Sequence, residues 1–318
     1  MSRRHGLSAA VLLGALAGGA LAQAARADEY FLTIAGLGGE PDYEQRFAGL
    51  AADLDRVLRA SGAAEHVFTL AGKDAGRTHI IETLRLIAEQ ALPEDEFTLV
   101  LIGHGSFDGV QYRLNLPGPD ISATELASLC NHIRSEHQLV VNTTSASGAS
   151  IGAFARRGRA VIAATKSGTE KNATVFARYW VEALQDPTTD VDKNEAISAL
   201  EAFQYATAKT AAFYQSQQRL ATEHAVFEDT DAGVPVRAAS TASGAGRLLS
   251  SLTLVRLGAT RSAAADPAKS ALLARKQQLE QKIDTLKYQR AAMAPQDYKQ
   301  QLTESLVELA KVQGELEK

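Results

Sequence analysis

The feature that most constrains the fold is a regular alternation, across residues 28–236, of short apolar runs with amphipathic helical stretches. Runs that are apolar throughout are typical of parallel strands covered by helices on both faces. The sequence therefore predicts a three-layer α/β/α domain with a mostly parallel central sheet. The predicted strands are 30–35, 66–70, 97–102, 138–142 and 160–164, and the predicted helices between them are 43–59, 79–92 and 122–134.

Two further helices, at 173–184 and 196–220, are predicted after the fifth strand, and the second is unusually rich in Ala and Gln. Residues 237–267 are rich in Ala, Ser, Thr and Gly and are interpreted as a linker. Within this linker, residues 248–257 are interpreted as one additional strand.

The C-terminal segment, residues 268–318, carries two sets of apolar residues spaced seven apart, with Pro295 between them. Proline cannot continue a helix interior, so the segment is predicted to form a helical hairpin with coiled-coil-like spacing. Lys276 and Arg290 interrupt the alternate core positions. The apolar stripe must then be covered by the other arm, by the α/β domain or by another chain, and this last option predicts an oligomer or partner contact.

Residues 1–27 have the pattern of a secretory signal peptide. Arg3 and Arg4 precede an uncharged run at 7–21, and small residues at 25–27 suit cleavage before Asp28. A run of about 15 apolar residues is short of the roughly 20 that span a bilayer, which disfavours the alternative of an uncleaved anchor. The expected location is periplasmic or secreted, with no transmembrane segment after cleavage.

The charge argues against a nucleic-acid-binding protein, and the cysteine content argues against a disulfide-stabilised one. Removing residues 1–27 takes away three arginines and lowers the formal net charge from −4 to −7, so a nucleic-acid partner is not expected. Cys130 is the single cysteine, so no intrachain disulfide forms. Its helical pattern with apolar neighbours predicts a buried small hydrophobe rather than a reactive thiol.

Two of the predicted strands end in residues that could carry chemistry. His104-Gly105 follows the third strand, and Ser145-Ala146-Ser147-Gly148 follows the fourth. Functional groups gather beyond the carboxyl ends of strands in open parallel sheets, so these two segments are expected to lie side by side. The sequence thus predicts a functional site at this edge.

The pattern resembles the legumain and caspase families of cysteine peptidases, in which His-Gly ends one strand and Cys-x-Ser-Gly ends the next. The resemblance covers roughly residues 30–233. It implies a caspase-like fold, with His104 as the catalytic histidine, Gly105 as an oxyanion-hole amide and Ser145 at the place of the nucleophilic cysteine. Residues 161–170 look like the family's fifth strand and pocket-bordering loop, which implies substrate-binding roles for Thr165 and Ser167.

The exchange of cysteine for serine at position 145 decides the expected function. A cysteine beside a histidine is readily a thiolate, whereas a serine hydroxyl needs an aligned base and usually a third group that orients the base. The favoured interpretation is a non-catalytic, peptidase-like domain that recognises a peptide or protein in the cell envelope and requires no cofactor. The alternative is an active endopeptidase or hydrolase of the legumain-like family that uses Ser145 with His104.

A second group of oxygen-bearing side chains spans residues 190–201. Its spacing is that of an EF-hand loop, which predicts a possible Ca²⁺ site, although position six is Glu195 rather than glycine. The alternative is a polar helix N-terminus, where such side chains cap free N–H groups. The candidate calcium ligands are Asp190, Asp192, Asn194, Ser198 and Glu201.

Overall fold

The computed structural model describes residues 27–63, 66–264 and 266–318, so nearly all of the predicted signal peptide lies outside the described residues. Its strands in chain order are β1 Glu29–Ala35, β2 Val67–Leu70, β3 Glu96–Ile102, β4 Gly105–Phe107, β5 Tyr112–Leu114, β6 Ile121–Ser122, β7 His137–Asn142, β8 Arg159–Ala163, β9 Ala196–Ser198, β10 Val226–Glu228 and β11 Thr253–Arg256.

The helices in chain order are α1 Pro41–Leu58, α2 Arg77–Gln90, α3 Ala123–Cys130, α4 Ile151–Phe154, α5 Phe176–Gln185, α6 Ala199–Ser216, α7 Arg247–Ser251, α8 Gly258–Ala264, α9 Ser270–Gln289 and α10 Pro295–Leu316. Within the described ranges, none of these helices is both long enough and apolar enough to cross a membrane.

The central sheet has six strands in the order β2-β1-β3-β7-β8-β10. All neighbours run parallel except β10, which is antiparallel to β8. All seven residues of β1 and all five of β8 are buried, as the continuous apolar runs predict. The α/β fold class with a mostly parallel sheet is therefore confirmed.

Helices cover both faces of this sheet and form two hydrophobic cores. One core joins the sheet to α1, α5, α6 and α7, and the other joins it to α2, α3 and α4. Strand residues alternate between these cores: Phe31 and Val100 face the first, whereas Leu32 and Leu99 face the second. This alternation follows from the two-residue period of a strand and produces the three layers.

The structure differs from the predicted elements after β8. The predicted strand at 248–257 is a helix in its first half, α7, and a strand only in its second half, β11. The helix forms because the carboxylate of Asp229 accepts N–H groups at its start, from Gly246, Leu248 and Leu249. The linker assigned to 237–267 thus contains α7, β11 and α8.

Two small sheets contain strands that were not predicted, namely β4, β5, β6 and β9. β4, β5 and β6 form an antiparallel sheet beyond β3, and β9 pairs with β11. These strands have only two to four residues. Such short strands show almost no periodicity, and pairing with distant segments decides their structure.

The C-terminal helical hairpin is confirmed by α9 and α10, which have 20 and 22 residues and pack against each other. The hairpin also packs on the α/β domain through α7 and α8. The Lys276 ammonium, whose residue is 2% exposed, donates to the Asn194 carbonyl at 2.5 Å and pairs with Glu280. Lys276 therefore attaches the hairpin to the loop before β9.

Three ionisable side chains meet at the edge of the sheet where the strands begin. Glu29 of β1 is in register with Glu96 of β3, and Arg256 of β11 forms an ion pair with Glu29. Glu29 and Arg256 are both buried. Burial and the neighbouring Glu29 carboxylate raise the pKa of Glu96 from 4.5 to about 8, against the opposing effect of Arg256.

The raised pKa of Glu96 predicts that the protein loses stability as the pH rises. Between about pH 4.5 and 8 the folded chain keeps a proton on Glu96 that the unfolded chain has released. The stabilisation that comes from this proton is complete below pH 4.5 and is lost as the pH rises to about 8. We expect the free energy of unfolding to fall by up to about 1.4 kcal/mol per pH unit in that interval. Urea unfolding at pH 5, 6.5 and 8 measures this slope.

Glu96→Gln should flatten this pH dependence, because the side chain can no longer release the proton. Glu94→Gln is the matched control, since Glu94 is an exposed carboxylate two residues away. Equal slopes in wild type and Glu96→Gln would contradict the assignment.

Candidate functional site

The candidate site lies at the point where the order of successive strands in the sheet reverses. The chain passes from β1 to β2 on one side, and β3 then lies on the other side of β1. Ligands of open α/β sheets bind beyond the carboxyl ends of the strands at such a switch point. The loop after β1 meets the end of β3 here, because the Gly36 N–H donates to the Ile102 carbonyl at 2.8 Å.

His104 follows β3 and turns its ring toward α1. The ring lies edge-on against Tyr43 and Phe47, with centroid distances of 4.8 and 5.2 Å, and hydrogen-bonds the backbone of Gly38. Burial lowers the pKa of His104, while the Gly38 bond and the charge of Glu40 oppose that shift. In the described ranges, no carboxylate oxygen forms a hydrogen bond or close ion pair with this ring.

Ser145 follows β7 and is 2% exposed. Its hydroxyl donates to the Gly105 carbonyl at 3.0 Å and accepts from the Gly105 N–H at 3.1 Å. The structure therefore brings the segments of His104, Gly105 and Ser145 together, as expected for adjacent strand ends. The hydroxyl proton, however, is directed to a carbonyl and not to an imidazole.

Residue 105 has to be glycine, because other groups lie very close to its backbone. A Cβ placed there would lie 2.4 Å from the Ser145 carbonyl oxygen, 2.5 Å from the Tyr112 ring and 2.6 Å from the Thr144 hydroxyl. Glycine is needed because no side chain fits in this space. The same contacts hold the Gly105 N–H against Ser145, where it is already used as a donor.

Polar side chains form a buried network beneath Ser145. The Tyr112 hydroxyl lies 2.5 Å from the Thr144 hydroxyl, which donates to the Asn142 side-chain oxygen at 2.8 Å. The Asn142 amide in turn donates to Ser150 at 3.0 Å. Burial raises the pKa of Tyr112 to about 12, so its hydroxyl stays neutral. Satisfied networks of this kind rigidify the backbone that carries them.

Thr165 and Ser167, the expected substrate-binding residues, occupy the loop after β8. Thr165 is fully buried, and its hydroxyl accepts the Gly148 N–H at 2.9 Å and lies 3.2 Å from the Ser147 hydroxyl. The half-buried Ser167 hydroxyl lies 2.8 Å from that of Thr169. In this arrangement Thr165 connects the loop to the turn after Ser145, and Ser167 is the more accessible of the two.

Glu170 and His224 form a pair at the same edge that the sequence patterns did not reveal. The Glu170 carboxylate lies 2.5 Å from His224 Nδ1 and accepts the backbone N–H of Lys166 and of His224. The Glu170 carbonyl also accepts the Ala146 N–H at 2.8 Å. The two residues are 54 positions apart, so no short motif could have paired them.

The acidic loop before α6 brings three of the five candidate calcium ligands together. Carboxylate oxygens of Asp190, Asp192 and Glu201 all lie within 4.8 Å of one another. Glu195, at the position where an EF-hand loop has glycine, adopts a positive φ of 62°. Carboxylate oxygens are the ligands that Ca²⁺ prefers. The positive φ of Glu195 gives the sharp turn that an EF-hand loop makes at this position.

The same loop also forms the predicted helix cap. The Ser198 hydroxyl accepts the Glu201 N–H at 3.3 Å, and the Glu201 carboxylate accepts the Ser198 N–H at 2.9 Å, which together form a capping box. Asp190 and Asp192 accept the N–H of Asn194. The loop is therefore ordered by its own hydrogen bonds.

Cys130 does not present a reactive thiol at this site. It is fully buried in α3, and burial raises the pKa of its thiol to about 11. A thiol with this pKa is almost entirely protonated at neutral pH, and the thiolate is the nucleophilic form.

Comparison with solved structures shows distant similarity to caspases. Caspase-1 from Spodoptera frugiperda is 11% identical, with a TM-score of 0.45 over 64% of this chain and 87% of the caspase. The Drosophila initiator caspase Dronc is 6% identical, with a TM-score of 0.40 over 64% of this chain and 79% of Dronc.

A bacterial protein is similar to a comparable degree. Protein GSU0716 from Geobacter sulfurreducens is 15% identical, with a TM-score of 0.45 over 73% of this chain and all of that protein. No protein-family model matches the sequence, and neither does any curated protein.

Proposed function

We propose that this chain is a caspase-like, legumain-related pseudo-peptidase that recognises a peptide or protein segment without cleaving it. One observation carries the proposal: the Ser145 hydroxyl is hydrogen-bonded to both backbone groups of Gly105. A serine nucleophile needs its proton to be taken by an aligned base, and an oxyanion hole needs free N–H groups. Here the hydroxyl and the N–H of Gly105 satisfy each other.

The environment of His104 supports the same proposal. In a serine mechanism the imidazole accepts the hydroxyl proton, and a third group orients the ring and stabilises its charged form. His104 instead hydrogen-bonds the Gly38 backbone and packs edge-on against Tyr43 and Phe47 of α1, and burial lowers its pKa. These contacts fit a ring that supports a recognition surface better than they fit a general base.

Peptide binding and peptide cleavage can be measured on the same samples. A mixture of synthetic decapeptides is incubated with the purified protein, bound peptides are recovered by rapid filtration, and all peptides are analysed by mass spectrometry. We expect a subset to be retained intact. Ser145→Ala should retain the same subset, because the hydroxyl it removes is buried and already bound to Gly105. Fragments that depend on both Ser145 and His104 would contradict the proposal and favour the active endopeptidase.

The place of action is proposed from the sequence of residues 1–27, which indicates export to the periplasm or beyond. The partner would then be a peptide or protein of the cell envelope, and the hairpin of α9 and α10 would add a contact surface. Affinity capture from the periplasm with and without residues 268–318 tests the second point. Identical partners in both experiments would exclude the hairpin as a contact surface.

Calcium binding by the acidic loop also stays a prediction. Asp190, Asp192 and Glu201 would supply carboxylate oxygens, with Asn194 and Ser198 completing the set. The test is thermal unfolding at increasing calcium concentration, with Asp192→Asn as the comparison. A Tm that rises in wild type and not in Asp192→Asn would support the site, whereas an unchanged Tm at millimolar calcium leaves only the helix cap.

A further inference from the structure

A cleft of about 520 Å³ lies between the helical hairpin and the α/β domain. Helix α9 forms one wall, to which α10 adds Leu306 and Leu309. The opposite wall consists of the loop before β9, the start of α6 and the end of α7. Pockets that enclose small ligands measure roughly 300–1,000 Å³, so this cleft has room for a peptide segment of a few residues.

The cleft is separate from the candidate site. Ala196 of β9 lines it and is in register with Arg256 of β11. Arg256 in turn pairs with Glu29, where β1 begins. The candidate site lies beyond the ends of the parallel strands, so the cleft is a second surface near the opposite edge of the sheet.

Carboxylates from both walls face this cleft. Four of them line it, namely Asp192, Glu201, Glu280 and Asp284. Among the described residues of the lining, Lys287 is the one cation, and it binds Asp284 at 2.8 Å. The buried Lys276 lies behind the lining and pairs with Glu280. Two ammonium groups against four carboxylates leave a surplus of negative charge.

The surplus charge is felt at Glu280. Burial raises the pKa of this carboxyl, the Lys276 ammonium opposes the shift, and the carboxylates of Asp192 and Asp284 raise the pKa further. Asp192 belongs to the loop and Asp284 to α9, so the repulsion acts across the cleft. Positive charge placed between the two walls would relieve it.

Apolar side chains lie beside these charges. Leu306 is 48% exposed and Val191, in the loop before β9, is 71% exposed. Leu200 and Leu309 are half-buried in the same lining. Covering apolar surface of this kind is favourable, so the matching partner carries apolar groups next to positive ones. A bare cation would match the carboxylates and leave the leucines uncovered.

We infer that this cleft binds a short peptide segment in which Lys or Arg stands beside apolar residues. The inference rests on the proposed role of the hairpin as a contact surface, and it names the chemistry of the partner. Hydrogen bonds between charged groups are roughly twice as strong as neutral ones, and partly buried charges are screened less by salt. The apolar residues of the segment would cover Leu306 and Leu309.

Three fluorescent peptides with the pattern Leu-X-Leu-X-Leu and blocked ends test the charge, X being Lys, Gln or Glu. Fluorescence polarisation gives the Kd of each, with EDTA present so that calcium does not occupy the acidic loop. We expect the Lys peptide to bind about tenfold more tightly than the Gln peptide, and the Glu peptide to bind most weakly. The preference for Lys should shrink as salt is added.

The cleft itself is tested by Asp284→Asn combined with Leu306→Asn, which should reduce the preference for the Lys peptide to about threefold or less. The matched control is Glu304→Gln combined with Val307→Asn. Both control positions are exposed on α10, Val307 is 51% exposed, and neither lines the cleft. The Tm of both double variants shows that the hairpin stays folded.

Three results would overturn the inference. They are the absence of a preference for the Lys peptide in wild type, a preference that Asp284→Asn with Leu306→Asn retains, and an equal loss in the control variant. A Tm that rises with calcium while the three peptides bind equally would also overturn it, because the cleft would then hold a metal ion only.

These outcomes are separable from failure of the proposed function. Peptides that bind equally, together with partner capture that still requires residues 268–318, would overturn the cleft and keep the hairpin as a contact surface. A Lys peptide that binds through the cleft, together with partners that are captured without residues 268–318, would keep the cleft and show that those partners bind elsewhere. Neither result depends on whether Ser145 is a nucleophile.

Discussion

Replacing Gly148 with alanine should destabilise the protein by about 3 kcal/mol or prevent folding. A Cβ at this position would lie 2.3 Å from the Ser167 nitrogen, 2.4 Å from the Lys166 carbonyl carbon and 2.5 Å from the Thr165 carbonyl oxygen. All three atoms belong to the backbone of the loop after β8, so no side-chain rotation relieves the overlap. Separating the two segments would also break the 2.9 Å bond from the Gly148 N–H to Thr165.

The matched control is Gly152→Ala, four residues further along the chain. Gly152 lies in α4, and no atom lies within 4 Å of the Cβ that alanine would add. Alanine is favoured over glycine in a helix by up to about 1 kcal/mol, so this variant should be neutral or slightly more stable. Thermal and urea unfolding of both variants measure the contrast. Equal stability of the two would show that the loop after β8 does not pack against Gly148 in this way.

Arg256→Met should have the second large effect, a loss of about 3–5 kcal/mol near pH 8. The substitution removes the cation of the buried cluster at the start of the strands and leaves Glu29 and Glu96 together. Methionine preserves most of the apolar contact, so the loss reports chiefly on the charge. The destabilisation should be smaller at pH 5, where the carboxylates can take up protons.

Adding Glu29→Gln to Arg256→Met separates the lost charge from lost packing. The double variant should be more stable than Arg256→Met alone, because the buried carboxylate that Arg256 neutralised is also gone. Urea unfolding at pH 5 and 8 gives all four free energies of the cycle. A double variant as unstable as the sum of its single substitutions would show that Arg256 acts through packing.

Much of the architecture could be predicted because it rests on local periodicity. The buried runs that became β1, β3, β7 and β8 are apolar on both faces, which only a sheet between two layers accommodates. The hairpin followed from heptad spacing and Pro295, which begins α10 as the first residue of that helix.

The elements that escaped prediction depend on distant partners. Helix α7 is capped by Asp229, 17 to 20 residues earlier, and the short strand β9 is stabilised by its pairing with β11. Neither feature leaves a periodic signal in its own segment. Propensity is a weak guide wherever a tertiary hydrogen bond decides the backbone.

At the candidate site, residue identities and order were predictable, whereas the hydrogen bonds were not. Two strand ends place His104, Gly105 and Ser145 at one edge of the sheet. The Ser145 hydroxyl binds Gly105 because the Gly105 backbone lies close to it. That close approach in turn depends on the packing of Tyr112 and Thr144 around Gly105. A motif specifies the residues that meet at a site, and their orientation comes from the packing around them.

The central claim is that Ser145 does not act as a nucleophile, and covalent labelling tests it most directly. The purified protein is incubated with an activated acyl ester, and its intact mass is followed by mass spectrometry, with Ser145→Ala and His104→Ala as comparisons. We predict no acyl adduct on Ser145, since its hydroxyl remains bound to Gly105. An acyl group that maps to Ser145 in the wild type, and is absent from both variants, would contradict this account.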